Sequence, residues 1–443
     1  MRPFLLNSFH ESALIVCSIA AISVIAYLPA VDNFFISDDF TLLAVIKALD
    51  QNPMYIFDAT SEFFRVVSYV YFWVCFKTFG LMPELYYWAG IGLHAVVSLL
   101  VYLLVKRLTG DSLAGWAAAV FFAAYERHQE AVMWISAANS TILTLNCLVF
   151  LILWERVLAR RTTARVITAL LMFVVALFSK ESAVILVPVV MVGMLLRGHT
   201  FRDTFRKSLP LLLMLAAFAA LWLSQADRNF FVYDGHYAVG LHAIPVSARA
   251  VTRLLSQTLP FLIAMFAITR GFRLSWNVPV LFFAALLVFA VVPTSFLTYA
   301  DQISSRHTYL PSVGLAGLNG IFFAALYRQR TSARFRAACM SFLLVVVAGN
   351  VSYIWLKKEP QFRERSAPTR ELISVLNGLD FDSRPIPVHV CGFPLHSWIG
   401  ETTVVNFTKF DRADVIFSAT CSGVRQGTEL RWDEDHGRYI ERF

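Results

Sequence analysis

The chain has 443 residues, of which 58% are apolar and only 15% are charged, and its mean hydropathy is +0.61. Charged side chains at this frequency are too few to cover a soluble globular domain, so a polytopic membrane protein is predicted. The net charge of +8 does not indicate a nucleic-acid partner, because the basic residues are spread over short segments between apolar runs, which is typical of a topology signal.

The first apolar run, from about residue 13 to 31, is long enough to cross a hydrocarbon core of about 30 Å as a helix. We expect a retained first span, because no small-residue cleavage site followed by a soluble domain is present. The first outer loop, residues 32–84, is predicted to carry surface helices at 40–49 and 54–64 and an interfacial segment at 66–79.

Apolar runs predict the later spans. They lie at about 85–105, 112–125, 132–154, 164–179, 182–196, 208–224, 250–269, 276–298, 309–327 and 337–356. The predicted fold class is therefore all-α and polytopic, with about 11 transmembrane helices in a domain over residues 1–356.

The basic residues of the short loops predict the orientation, because such residues stay on the cytoplasmic side. With the N-terminus in the cytoplasm, five basic clusters fall inside. They are Lys106-Arg107; Arg156, Arg160, Arg161 and Arg165; Arg197, Arg202, Arg206 and Lys207; Arg270 and Arg273; and Arg328, Arg330, Arg334 and Arg336. The predicted location is the cytoplasmic (inner) membrane, with a cytoplasmic N-terminus and an extracytoplasmic, periplasmic C-terminus.

The tail, residues 357–443, is predicted to be a small extracytoplasmic α/β domain. A helix is expected at 370–379 and short strands at 386–391, 402–407, 414–420 and 429–432. In this tail Cys391 and Cys421 form either a disulfide bridge or two buried thiols. Cys17, Cys75, Cys147 and Cys339 lie in apolar runs, where a thiol is a small apolar side chain.

The predicted orientation brings polar groups from four separate segments to the outer face. These are Asp38-Asp39, Glu126 to Glu130, Lys180-Glu181 and Ser305 to His307. Each has a structural interpretation beside a functional one. An Asp before Phe40 caps a helix or faces a cavity, and neighbouring side chains on a helix diverge by about 100°, so the two carboxylates can differ in role.

The other candidates also have two interpretations. Glu130 and His128 are either an interfacial polar belt or part of the site. Lys180-Glu181 is a turn charge pair or a phosphate contact. Arg306 and Arg65 are snorkelling anchors or phosphate ligands. His94 lies near mid-membrane, where it joins helices or contributes to the site.

Carboxylates together with cations at an outer cavity suit the transfer of a group from a lipid phosphate. A carboxylate can take the proton of an acceptor hydroxyl as it attacks, and Arg and Lys can stabilise the departing phosphate. Glycine-rich phosphate loops, HExxH motifs and clustered metal ligands are absent from the sequence, so ATP-driven transport and zinc-protease chemistry are not indicated.

The order of these motifs resembles the GT-C superfamily of integral membrane glycosyltransferases, in the branch of protein O-mannosyltransferases and lipid A aminoarabinose transferases. The motifs are Ser37-Asp38-Asp39-Phe40, Phe64-Arg65, Phe79-Gly80-Leu81, His128-x-Glu130-Ala131-Val132-x-Trp134-Ile135, Ser179-Lys180-Glu181 and Ser305-Arg306-x-x-Tyr309-Leu310-Pro311. The resemblance spans residues 10–356. It departs at Ala137-Ala138, where an Arg is often found, and in the small tail.

The resemblance implies a polyprenyl-phosphate-sugar donor, inversion at the anomeric carbon and a hexosyltransferase type of activity on a glycan, lipid or protein hydroxyl. It implies Asp38 as the base, Asp39 as a metal or acceptor contact, and Glu130 as the second-loop acidic residue. The predicted substrate and phosphate contacts are Arg65, His128, Lys180, Glu181, Arg306 and Tyr309. The resemblance implies no particular cofactor. It is compatible with a divalent metal, for which Asp39 is the candidate ligand.

Two rival functions belong to other classes. One is a carrier or flippase for lipid-linked saccharides, which should place charges at mid-membrane and show repeated halves with broken helices. The charges of this chain cluster at one face and no repeat is visible, which favours the enzyme. The other is a non-catalytic assembly factor, which can retain the Asp pair.

Overall fold

A computed structural model of the protein describes residues 3–59, 65–224, 232, 235–256, 263, 277–298, 303–379, 387–420 and 427–442. Its helices form over the apolar runs, where backbone N–H and C=O groups are best paired within their own segment. In chain order they are α1 (Pro3–Tyr27), α2 (Asp38–Gln51), α3 (Tyr55–Ala59), α4 (Val66–Phe79), α5 (Pro83–Thr109), α6 (Ser112–Ala124), α7 (Gln129–Met133), α8 (Asn139–Ala159), α9 (Thr163–Leu177), α10 (Leu186–Leu196), α11 (Phe201–Leu223), α12 (Ala243–Leu255), α13 (Val278–Val291), α14 (Pro311–Arg328) and α15 (Ala333–Tyr353).

The predicted class of polytopic helical membrane protein is confirmed. Among the described residues, six helical ranges are long and apolar enough to cross a membrane: Ser12–Asp32, Pro83–Thr109, Ser136–Ala159, Phe201–Leu223, Val278–Phe296 and Ala333–Gly378. Shorter apolar helices are Val66–Phe79, Ser112–Ala124, Thr163–Leu177 and Glu181–Leu196. The predicted span at 250–269 and the end of the predicted surface helix at 54–64 lie partly outside the described residues.

The centre of the bundle is α6, whose small side chains are almost all buried. A Cβ atom on Gly115 would lie 2.8 Å from the Tyr102 carbonyl oxygen of α5, and one on Gly320 of α14 would collide with the Ala114 carbonyl oxygen. Small residues at these points therefore let α5 and α14 approach the backbone of α6 closely, as is common in membrane bundles.

The tail is a small α/β unit, as predicted. α15 continues through a π-helical turn (Ile354–Lys358) into α16 (Glu359–Gly378), so the boundary predicted at residue 356 falls inside one continuous helix. Then follow β1 (Val388–Cys391), α17 (Ser397–Phe407), β2 (Val415–Ser418), β3 (Thr428–Asp433) and β4 (Arg438–Arg442). The strand order is β2-β1-β3-β4, with β1 parallel to β2 and β3, and β4 antiparallel to β3.

One predicted strand is wrong. Residues 402–407 form the second half of α17, because Ile399, Thr403 and Val404 are buried at helical spacing. Gly400 allows the helix to sit directly against the ring of Phe417 on β2. The β-branched residues of this stretch suggested a strand, but burial on one helical face outweighs that weak preference.

The cysteines of the apolar runs behave as expected, since Cys17, Cys75, Cys147 and Cys339 are free thiols. Cys391 is disulfide-bonded. Cys421 lies outside the described residues, so its pairing stays a prediction.

Gly320→Val should destabilise the bundle, because a branched side chain cannot fit between α14 and α6 and overpacking of this kind costs about 1–3 kcal/mol or more. Thermal unfolding of the detergent-solubilised protein measures this loss. The matched control is Gly349→Val on α15, where an added Cβ meets nothing within 4 Å. Equal unfolding temperatures for the two variants would contradict this packing.

Candidate active site

Residues of several helices and of the segments between them line an open cavity of about 810 Å³. Five of the residues singled out from the sequence line it: Asp38, Arg65, Lys180, Glu181 and Arg306. They come from the first outer loop, from the turn between α9 and α10, and from the segment that precedes α14. The chain therefore brings together at one cavity groups that are far apart in the sequence.

Asp38 begins α2 and is exposed to the cavity. Thr41 and Val45 follow it on the same helical face and line the same cavity. Ser37, just before it, has φ 46° and ψ −118°, a backbone conformation that residues other than glycine rarely adopt. The carboxylate is thus presented by a strained turn at the start of a helix.

Asp39 points the other way and is only 1% exposed. One of its carboxylate oxygens accepts the Ile36 N–H at 2.9 Å, and the other accepts the Ser136 N–H at 2.7 Å. Asp39 does not line the cavity. Asp39 therefore connects the segment before α2 to the segment between α7 and α8.

This arrangement does not suit Asp39 as a metal ligand, because both of its oxygens are already taken by backbone donors. The described residues also contain no group of three or more His, Cys, Asp or Glu side chains that could hold an ion.

The basic wall of the cavity is built around Lys180, which is 4% exposed and donates to Ser140 Oγ at 3.1 Å. Burial lowers the pKa of Lys180 well below its usual value, and the nearby Arg65 and Arg306 add to this effect. Arg65 also lies 3.4 Å from the Glu181 carboxylate. Burial opposes ionisation of Glu181, but Arg65 and Lys180 outweigh it, so the pKa of Glu181 is lowered.

Local backbone pairing explains why Arg65 meets this turn. The Val67 N–H donates to the Phe178 carbonyl at 3.1 Å, and the Ser68 hydroxyl donates to the Ser179 carbonyl at 3.1 Å. The start of α4 is therefore attached to the end of α9, directly beside Lys180.

Arg306 is held from two sides. Its guanidinium lies over the Trp134 ring, 4.7 Å from the centroid. Its backbone N–H donates to Glu130 Oε2 at 3.1 Å. Glu130, predicted as a catalytic carboxylate, is not among the cavity-lining residues, and in this structure it orients the Arg306 segment.

The structure places His128 and Tyr309 away from the cavity, although both were predicted as substrate contacts. Both are fully buried. The Tyr309 hydroxyl lies 2.6 Å from His94 Nδ1, and His128 Nε2 lies 2.6 Å from Ser312 Oγ. His94 Nε2 must donate to the Ala123 carbonyl at 3.0 Å, so Nδ1 accepts from Tyr309. His94 and Tyr309 thus connect α5 to the segment before α14, and His128 connects the segment after α6 to α14.

His307 is a cavity residue that the site prediction omitted. Within the described part of the chain, neither of its buried ring nitrogens has a hydrogen-bond partner. Burial lowers the pKa of His307 well below its usual value, helped by the charges of Lys180 and Arg306, so the imidazole is neutral. The position of His307 next to Arg306 in the sequence was the one feature that could have indicated a place at the cavity.

Asp39→Asn should destabilise the protein, because an amide nitrogen cannot accept a hydrogen bond, whereas both oxygens of Asp39 can do so whether or not the group is protonated. The backbone donor left unsatisfied costs about 1–3 kcal/mol. Burial raises the pKa of Asp39 to about 7, against the opposing effect of its hydrogen bonds from Ile36 and Ser136. The folded pKa thus exceeds the unfolded value of 3.8. The stability contributed by protonation of this group is full below the unfolded value and is lost as the pH rises through about 7.

Unfolding temperatures measured from pH 5 to 8 test this. The advantage of the wild type over Asp39→Asn should shrink as the pH rises, while Asp50→Asn, whose carboxylate pairs with Lys77 at the far end of α2, serves as the control. If Asp39→Asn is as stable as the wild type at every pH, the hydrogen bonds of Asp39 to Ile36 and Ser136 do not hold these two segments together.

Comparisons with known proteins bear on the fold. No family profile matches the sequence, and no curated protein matches it. Among solved structures, ArnT (lipid A aminoarabinose transferase) from Cupriavidus metallidurans, bound to undecaprenyl phosphate, aligns over 96% of this chain and 94% of its own, with a TM-score of 0.57 and 10% identity. An oligosaccharyltransferase from Archaeoglobus fulgidus, tethered to an acceptor peptide, aligns over 84% of this chain and 57% of its own, with a TM-score of 0.45 and 15% identity.

The fold assignment rests on the ArnT alignment, which covers nearly the whole of both chains. The chain therefore shares the fold of ArnT, in agreement with the fold that the resemblance of the sequence motifs implied.

Proposed function

We propose that the protein is an inverting glycosyltransferase of the hexosyltransferase type. It moves a sugar from a polyprenyl-phosphate-sugar donor to a hydroxyl of a glycan, lipid or protein at the outer face of the cytoplasmic membrane. The observation that carries this proposal is one cavity lined by an exposed carboxylate, Asp38, and by Lys180, Arg65 and Arg306. The ArnT fold, solved there with undecaprenyl phosphate, supports it.

The reaction needs one base and one anion site. Asp38 removes the proton of the acceptor hydroxyl, whose oxygen forms a bond to the anomeric carbon while the bond from that carbon to the phosphate oxygen breaks. The electron pair of the broken bond leaves with the polyprenyl phosphate. Because attack and departure occur on opposite sides of the carbon, the configuration inverts.

The cations act on the leaving group. Arg65, Lys180 and Arg306 stabilise the negative charge that grows on the phosphate as the bond breaks. Lys180 and Arg306 are held by Ser140 and by Trp134 before substrate arrives, so little reorganisation is needed during the reaction.

The cavity also fits an amphiphilic donor. Its volume of about 810 Å³ is in the range of ligand pockets, about 300–1,000 Å³. Beside the charged groups, the lining includes Leu215, Phe218 and Trp222 of α11, apolar side chains suited to an isoprenoid chain. Charged and apolar side chains that line one cavity match a sugar phosphate on a lipid.

Asp38→Asn should abolish transfer, because it removes the base and general base catalysis contributes about 100-fold or more. The assay is glycan transfer in membranes supplied with polyprenyl-phosphate hexoses, at matched expression. Asp50→Asn is the control, since it makes the same chemical change on the same helix away from the cavity.

Each outcome selects a class of function. Loss in Asp38→Asn alone supports the transferase and names its base. If the intact protein moves lipid-linked sugar across sealed vesicles without transferring it, the protein is a carrier. If it neither transfers nor moves the sugar, an assembly role replaces both.

Arg306→Ala should weaken binding of undecaprenyl phosphate by about 10-fold or more, because a charge-assisted hydrogen bond contributes about 1.5–3 kcal/mol. Thermal-shift titration of the solubilised protein measures the affinity. Arg249→Ala, on the exposed side of α12, is the matched control. Unchanged affinity in Arg306→Ala would remove Arg306 from the phosphate site.

A further inference from the structure

The C-terminal tail touches the segment that carries Asp38. The ring of Phe407, at the end of α17, lies 5.2 Å from the ring of Phe34, 5.8 Å from that of Phe35 and 6.4 Å from that of Phe40. The contacted residues stand on both sides of Asp38 in the sequence. Phe407 therefore packs against both arms of the turn that presents the carboxylate.

Phe407 lies where the tail packs against the bundle. The tail has its own core, which includes Leu372, Leu376, Val390 and Leu430. Phe407, in contrast, packs against the main hydrophobic core of the bundle. The tail thus folds around its own core, and Phe393, Leu395, Ile399 and Phe407 pack against the core of the bundle.

Polar contacts accompany the aromatic ones. Lys47 of α2 donates to Asn406 Oδ1. Arg370 of α16 donates to the Asp32 carbonyl, at the start of the first outer loop. Asn377 of α16 donates to the Phe407 carbonyl at 3.1 Å, which connects the two tail helices. The contact is therefore made at three points along residues 32–47.

The geometry of the turn explains why such a contact matters. Ser37 has a positive φ, and strained conformations of this kind persist only where the surroundings hold them in place. Asp39 anchors the inner side of the turn through the Ile36 and Ser136 N–H groups. Phe407 covers the neighbouring aromatic residues, so the turn is held from both the bundle and the tail.

We infer that Phe407 is a positioning residue for Asp38 and that the tail completes the active site, an inference that rests on the proposed transferase function. Removing the ring allows the turn to relax and displaces the carboxylate from the acceptor hydroxyl. Among the described residues, none of the tail lines the cavity that holds Lys180, Arg65 and Arg306.

The test compares Phe407→Ala with Trp398→Ala, an exposed aromatic residue on the same helix that is 39% exposed. In Phe407→Ala, kcat should fall by about 10- to 100-fold, since small displacements of reacting groups have effects of this size. The KM for the donor should stay within about 2-fold. Phe407→Leu, which keeps apolar bulk, should restore most of kcat, and Trp398→Ala should resemble the wild type.

Hydrogen–deuterium exchange gives a readout that does not depend on activity. Phe407→Ala should raise exchange in residues 34–40 and leave the strands of the tail protected. Arg370→Ala, which removes the link to Asp32, provides a second variant with the same expected pattern should Phe407→Ala fail to fold.

The outcomes separate this inference from the proposed function. An intact protein that transfers nothing contradicts the function, whatever the exchange data show. Normal kcat and unchanged exchange at 34–40 in Phe407→Ala contradict the positioning role alone. A lower kcat in Phe407→Ala together with exchange raised throughout the tail would indicate general destabilisation, and this also overturns the positioning role.

Discussion

The site depends on buried hydrogen bonds that connect segments far apart in the sequence. The Asp39 carboxylate bridges to the Ser136 N–H, 97 residues away, and Glu130 bridges to the Arg306 N–H, 176 residues away. Lys180 connects back to Ser140. In an apolar scaffold each of these polar groups would be costly without its partner. Their pairing therefore fixes how the loops meet, and the cavity follows from it.

Two neighbouring carboxylates have different tasks because a helix start points them in different directions. Asp38 faces the cavity, while Asp39 faces backbone donors in the interior. Burial raises the pKa of Asp39 to about 7. A buried group with both oxygens occupied is poorly placed to take a proton from a substrate. The same pair thus supplies both a reactive group and the anchor that holds it.

Much of this could be predicted from the sequence, because long apolar runs and one-sided charges are strong signals. The charges of three separated segments meet at one cavity as expected, at Arg65, Lys180 and Arg306. Local patterns carry no information on side-chain direction within a loop, so Glu130, His128 and Tyr309 were predicted at the cavity but do not line it. The contact of Phe407 with Phe34 joins residues more than 370 positions apart. No periodicity reveals such a contact, and the helical state of 402–407 depends on the same tertiary packing.

The basic wall has a further consequence for the reaction cycle. Arg65 and Arg306 lie close enough to Lys180 to disfavour its positive charge. An anionic ligand bound among the three side chains therefore relieves their repulsion. In the proposed reaction, a phosphodiester with one negative charge becomes a phosphate monoester with up to two. The wall therefore interacts more strongly with the transition state than with the donor, which is the condition for lowering a barrier. The wall also binds the product more firmly than the substrate. A stronger cationic wall would therefore slow the departure of the polyprenyl phosphate and not the chemical step.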